Sequence, residues 1–216
     1  MKVVSVILAR GGSKGIPDKN IIDLGGVPLI SYSINASLAS KVDETWVSTD
    51  SKRIATLSVG YGSKILMRPV ELATDTSSSE LSLLHFAENV DFDILVFIQP
   101  TSPMINKEYI NKGISLIKDK KYDSVFTSVE KHWTPTFDED VNPIGWEIGS
   151  RPMRQQMPKI YEEVGMFYIT TKELLLETKM RYGGNIGMVE LPLVDGFQID
   201  SMDDLSLIET GTAKPL

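Results

Sequence analysis

Through the first 130 residues, short apolar runs alternate with stretches in which apolar side chains recur every three or four positions. A short apolar run suits a strand buried on both faces, whereas a three-to-four spacing suits a helix with one buried stripe. The runs predict strands over residues 3–9, 45–48, 64–67, 94–98 and 124–129. The spaced stretches predict helices over 28–39, 51–61, 78–90 and 107–118, the third carrying Leu81, Leu84, His85 and Ala87 at helical spacing. Strands and helices in regular alternation build a mostly parallel sheet covered by helices on both faces. The expectation is a single Rossmann-like α/β domain of three layers spanning residues 1–216. In open sheets of this kind a ligand lies beyond the carboxyl ends of the strands. Three predicted strand ends carry polar signatures: Ala9-Arg10-Gly11, Ser48-Thr49-Asp50 and Gln99-Pro100-Thr101-Ser102-Pro103. The functional site is expected there.

Residues 130–160 break this rhythm with Trp133, Pro135, Pro143, Trp146, Pro152 and Pro158, and show little helical period. Long irregular stretches inside a compact domain are usually functional, and tryptophan favours contacts between subunits. The segment is therefore a candidate dimerisation element, with a plain surface excursion as the alternative. Beyond it, 165–170 and 186–191 read as strands, and 172–177 and 201–209 as helices. Ser201 suits the cap of the last helix, with Asp203 and Asp204 in its first turn, where negative charge favours the helix dipole.

With 42% hydrophobic and 24% charged residues over 216 positions, the chain has ordinary globular composition and material for a large core. Its longest apolar stretches fall far short of the ~20 residues needed to span a bilayer. The apolar run at 3–9 is interrupted by Ser5 and closed by Arg10, which does not suit a secretion signal. There is no cysteine, so disulfides, thiolate nucleophiles and cysteine metal sites are excluded. Together these features lead us to expect a cytoplasmic protein. A net charge of −7 argues against nucleic acid or an anionic membrane as partner. In residues 1–20, however, Lys2, Arg10, Lys14 and Lys19 stand against Asp18 alone. A locally basic site on an acidic protein suits a small anion better than a polymer.

That basic site is the run Leu-Ala-Arg-Gly-Gly-Ser-Lys-Gly-Ile-Pro-Asp-Lys-Asn at 8–20, directly after the first apolar run. Gly11, Gly12 and Gly15 let the backbone approach a ligand and aim its amides at an anion. Arg10, Lys14 and Lys19 neutralise the charge that amides only orient towards. Neither G-x-x-x-x-G-K-[ST] nor G-x-G-x-x-G is present. A polyphosphate cradle is the leading reading of the loop, beside that of a basic surface turn.

The same run resembles the opening signature of the acylneuraminate cytidylyltransferases, and the resemblance extends along nearly the whole chain. Val47-Ser48-Thr49-Asp50 is similar to that family's second-strand motif, and 68–76, from Arg68-Pro69 to Asp75-Thr76, to its R-P-x-E-L-A-x-D-T segment. Gln99-Pro100-Thr101-Ser102-Pro103 matches Q-P-T-S-P. Arg154-Gln155 with Pro158, then Gly165 and Phe167-Tyr168, resemble the R-Q-x-x-P region, and Ile199-Asp200 stands where the family ends a strand in I-D.

The resemblance implies transfer of CMP from CTP to the anomeric hydroxyl of a nine-carbon 2-keto sugar acid, with release of pyrophosphate. Such chemistry depends on alignment and on stabilising phosphate charge. It assigns Arg10 and Lys14 to the triphosphate, Lys19 to the α-phosphate and attacking oxygen, and the amides of Gly11, Gly12 and Ser13 to the phosphates. Asn20, Arg68 and Ser79 are implied as cytosine readers, since an amide, a guanidinium and a hydroxyl meet both donor and acceptor edges of that base. Gln99 is implied as a sugar ligand, and Arg154 as a partner of the sugar carboxylate, often supplied across a dimer interface. Tyr168, and less directly Tyr182, are candidate walls for the acyl group, with core packing as the alternative. A homodimer and Mg2+ are further implications, with Asp200 as the metal anchor or, alternatively, a residue capping the following helix. The family often has Asp-Ile-Asp where this chain has Gln198-Ile199-Asp200, so residue 198 offers a neutral oxygen and no charge. Val164 replaces an asparagine common before the sugar-pocket glycine, which bears on which acid is accepted: sialic acid, legionaminate, pseudaminate or Kdo. A non-catalytic CTP-binding relative is the other class.

Overall fold

The computed structural model describes residues 1–13 and 15–210. Seven strands form one sheet: β1 (Val3–Leu8), β4 (Glu44–Thr49), β5 (Lys64–Met67), β6 (Ile94–Ile98), β7 (Ser124–Lys131), β8 (Ile160–Thr171) and β9 (Ile186–Leu191). Their order is β5-β4-β1-β6-β8-β7-β9. All neighbours run parallel except β8, which is antiparallel to both β6 and β7. The mostly parallel α/β architecture is as the sequence predicts.

The three layers follow from burial. Val3 and Ile7 face one way along β1, Val4 and Val6 the other, and all four are fully buried. Each such side chain contributes about 1.5–3 kcal/mol when removed from water. On one face lie α1 (Leu29–Leu38), α2 (Lys52–Gly60) and α4 (Lys107–Lys118), through Ile30, Ile34, Ile54, Ile110 and Ile114. The other face carries α3 (Ser79–Asn89) and α5 (Lys172–Thr178), through Leu83, Phe86 and Leu175. A third cluster packs α6 (Met202–Glu209), through Leu205 and Ile208, against Ile16, Leu24, Leu29 and Ile199. That contact holds the carboxyl-terminal segment beside the loop after β1.

The predicted helices fall within a residue of the observed ones, and their caps explain the boundaries. Ser51, Ser78, Asn106 and Ser201 each accept from a backbone amide of the first turn. Ser201 and Asp204 form a reciprocal capping box. Not foreseen was the short hairpin of β2 (Asp23–Leu24) and β3 (Val27–Pro28), too short for a periodic signal. The irregular segment is also shorter than expected. Residues 130–131 extend β7 and residue 160 begins β8, so the two strands form an arm that carries 132–159. Its tip holds Trp146 edge-on to both Trp133 and Phe137.

Candidate active site

The carboxyl ends of β1, β5 and β6 open onto a cleft of about 540 Å3. Arg10, Ser13, Lys19, Asn20, Arg68 and Ser79 line it, together with Gln99 and Asp200. The sequence scatters these residues over 190 positions, and the parallel sheet gathers them because successive strands end at the same edge. Lys14 lies outside the described residues.

Three contacts shape the loop after β1. The Ala9 amide makes a last sheet bond to the Ser48 carbonyl at 3.0 Å. The Gly11 amide then donates to the Asp50 carboxylate at 2.9 Å, so it is engaged within the chain rather than aimed at a ligand. Asn20 is buried and donates to the Arg10 carbonyl at 3.0 Å, pinning the end of the loop to its start. Gly15 answers to close approach: a Cβ there would sit 3.2 Å from the Asp200 carbonyl oxygen. The loop and the carboxyl-terminal segment thus meet backbone to backbone.

Among the described residues, the two partly exposed cations of the cleft are each held by a carboxylate. Arg10 pairs with Asp75 at 2.6 Å and Lys19 with Asp200 at 2.8 Å. Both acids are more exposed than their partners, so an incoming polyanion can take their place. Arg68 differs. It is only 7% exposed and donates to Ser82 at 2.6 Å, while Ser82 donates to the Leu72 carbonyl. Burial pulls the guanidinium pKa below its ordinary value, Asp50 partly offsets this, and nearby Arg10 lowers it further. Its Nε has no hydrogen-bond partner among the described residues. A buried donor left unpaired costs roughly 1–3 kcal/mol.

A second cavity of about 460 Å3 adjoins the first and shares Gln99 and Asp200 with it. It is made by an irregularity in β8. Between the paired positions Phe126–Tyr168 and Ser128–Glu163, Thr127 alone faces residues 164–167. Bulges bend a strand and re-aim its side chains, often beside active sites. Here the Thr127 hydroxyl bonds to both the amide and the carbonyl of Phe167, and the Gln99 amide donates to the Met166 carbonyl. Gly165 sits in the bulge at φ +64°, directly beneath the side chains of Gln198 and Gln99. Gly165→Ala is expected to cost about 1–2 kcal/mol in urea unfolding through the left-handed backbone. It should also raise the KM of whatever occupies this cavity, because the new methyl would lie 2.9 Å from Gln198 Nε2.

Tyr168 is 3% exposed and stacks on Phe97 and Tyr182, so core packing accounts for its ring. Its hydroxyl donates to Glu163, which lines the second cavity. Burial, then that carboxylate, raise the Tyr168 pKa. Behind it Arg181 covers the rings of Tyr168 and Phe97 and pairs with Glu80 at 2.6 Å. Sequence reasoning passed over Asp75, Ser82, Glu163, Glu80 and Arg181 as site residues. One trace was legible: Ser82 lies one helical turn beyond Ser79.

Arg154 is not brought to either cavity. It lies exposed in a short 3-10 turn (Arg154–Gln156) on the arm, beside His132 and Trp133. For a metal, Asp200 offers a carboxylate at the junction of the cavities, and Gln198 a neutral amide whose oxygen accepts from Thr101 at 3.4 Å. No cluster of three or more His, Cys, Asp or Glu exists among the described residues. This donor set fits a hard cation such as Mg2+ that brings further oxygens with a phosphate ligand and water. It does not form a protein cage.

The cytidylyltransferase family model matches residues 4–165. N-acylneuraminate cytidylyltransferase B of Danio rerio is 37% identical over 203 residues, 91% of this chain and 48% of that protein. The post-translational flagellin modification protein B of Campylobacter coli is 29% identical, over 96% of this chain and 94% of its own. The chain therefore spans about half the length of the fish protein and nearly all of the bacterial one. The structure of CMP:2-keto-3-deoxy-manno-octonic acid synthetase complexed with CTP superposes over the full length of both chains, with a TM-score of 0.78 at 20% identity. That likeness is one of fold.

Proposed function

The chain belongs to the cytidylyltransferase family, and on that footing we propose that it transfers CMP from CTP to a nine-carbon 2-keto sugar acid of the sialic acid type. The anomeric hydroxyl attacks the α-phosphorus of CTP, a P–O bond to the β-phosphate breaks, and pyrophosphate departs. The observation that carries this reading is the pair of adjoining cavities: one basic, with Arg10, Lys19 and the unsatisfied Arg68, the other polar, with Gln99 at their junction. Two substrates seated in them would meet beside Lys19 and Asp200.

In this reading Arg10 and Lys14 hold the triphosphate, with the amides of Gly12 and Ser13 available to it. Lys19 stabilises charge developing at the α-phosphate, a role that a pre-placed cation performs without reorganisation. Arg68, Asn20 and Ser79 meet the cytosine. Gln99 holds the acceptor sugar and Arg154 its carboxylate. Mg2+, held by Asp200 together with phosphate oxygens, would supply further charge neutralisation. Gln198→Asp places a second carboxylate two residues from Asp200 on the same cavity. It should lower the Mg2+ concentration for half-maximal activity severalfold; an unchanged titration would separate residue 198 from the metal.

Arg154 reaches a site only from a second subunit in this reading, which makes the protein a homodimer joined through the arm. Support comes from Ile144, Ile148 and Met153, which stand 56%, 73% and 63% exposed around the aromatic tip. Exposed apolar groups so concentrated mark an interaction surface. We place the enzyme in the cytoplasm on its cysteine-free composition; among the described residues no helix is long and apolar enough to cross a membrane.

Pyrophosphate release from CTP with Mg2+, measured against a panel of eight- and nine-carbon keto acids, tests the proposal. Release is expected with the nine-carbon acids, and the preferred one separates sialic acid from legionaminate, pseudaminate and Kdo. CTP binding without release for any acid would make the chain a non-catalytic nucleotide-binding protein.

A further inference from the structure

The second cavity is lined by two neighbouring acids that differ in their surroundings. Glu162 is neutralised by Lys131 at 2.8 Å. Glu163 has no ion-pair partner among the described residues. It takes one hydrogen bond, from the Tyr168 hydroxyl to Oε1, and its second oxygen is left to the cavity. Tyr168 is in turn held by stacking between Phe97 and Tyr182 and by Arg181 across its face, itself fixed by Glu80. Glu163 is thus an acceptor set in place by a buried, fully packed phenol.

A carboxylate that lines a cavity and has no ion-pair partner among the described residues repels an anion and binds a hydrogen-bond donor. The acceptor of the proposed reaction carries one carboxylate of its own, which cannot lie here. Resting on that reading of the reaction, we propose that Glu163 is a specificity-determining residue. It accepts an O–H or N–H from the part of the sugar acid remote from the sugar's carboxylate, with Tyr168 as its positioning residue. The cavity therefore admits the acceptor in one orientation and selects tails that are neutral or cationic and rich in donors, such as hydroxyl or acylamino groups. It excludes tails bearing a second negative charge.

The test uses the full chain with CTP, Mg2+ and the best acid of the panel. Replacing a charged acceptor by a neutral one in a hydrogen bond is worth roughly 5–10-fold in affinity. Glu163→Gln, nearly isosteric and on an exposed position, should raise the acceptor KM by that factor while leaving the KM of CTP and the unfolding midpoint unchanged. Tyr168→Phe, which frees Glu163 without removing it, should raise the acceptor KM less. An acceptor analogue lacking the contacted hydroxyl or N–H should lose affinity with the wild-type protein but little more with Glu163→Gln. An unchanged acceptor KM in Glu163→Gln, with the wild type active, overturns this inference alone. Equal losses for CTP and acceptor would assign Glu163 a structural role and overturn it as well. A wild-type protein that releases no pyrophosphate with any acid overturns the underlying reading and this inference together.

Discussion

Lys19→Ala is expected to lower kcat for pyrophosphate release by roughly 100–1,000-fold, the loss that follows when one pre-placed charge is withdrawn from a transition state. The side chain is 19% exposed, at the point where the two cavities adjoin, and is bonded to Asp200 across 181 residues of sequence. Its truncation leaves Asp200, 67% exposed, to water, so the ion pair itself contributes no more than about 1 kcal/mol to the fold. Thermal unfolding should therefore shift little while turnover collapses. Near-normal turnover in a folded Lys19→Ala protein would remove the residue from the chemistry. A protein that fails to bind CTP would instead make it a ground-state ligand.

Arg154→Ala is the second large effect. Loss of a guanidinium on the acceptor's carboxylate should raise the acceptor KM by roughly 100-fold, as removing a charged partner from a desolvated contact does, with the KM of CTP unaltered. Because Arg154 sits on the arm beside Trp133 and outside both cavities of its own subunit, the defect should be complemented in mixed dimers. Co-expressing Arg154→Ala with Lys19→Ala in equal amounts gives heterodimers in which one of the two sites has both residues intact. About a quarter of wild-type activity should then return, from a symmetric dimer assorting at random. No recovery, in dimers shown to have exchanged subunits, would place Arg154 in its own subunit's site or outside the reaction.

Most of the scaffold could be read from the chain. Each of β1, β5 and β6 is a short, mainly apolar run, β4 has Trp46-Val47 at its centre, and each helix between them has a spacing that only one face of a helix satisfies. Those are local signals, repeated often enough to specify layers and direction. The loop at 8–20 was legible because glycine and cation types are themselves chemical statements. Arg68, Gln99 and Asp200 came from the resemblance, and the fold brings them to one cleft. The residues that were missed share a different property: Glu80, Ser82 and Glu163 have polar side chains in a helix and a strand whose pattern reports only burial, and Asp75 and Arg181 stand in turns that carry no periodic pattern. Nothing in the order of residues says that Arg181 will reach Glu80 across 101 positions.

The division between the two levels follows from range. Periodicity and residue type act over a few positions, so the sequence by itself determined the α/β layering, the basic glycine-rich loop and its placement at a strand end. Partner choice among distant side chains depends on the sheet order and on one strand that departs from its ladder. Only the tertiary structure decided that Gly11 is occupied by Asp50, that Arg68 is buried with a donor to spare, and that Arg154 stands away from its own cleft. It also decided that the bulge at 164–167 opens a second cavity with Glu163 at its wall. These are consequences of close packing between segments that the chain keeps far apart.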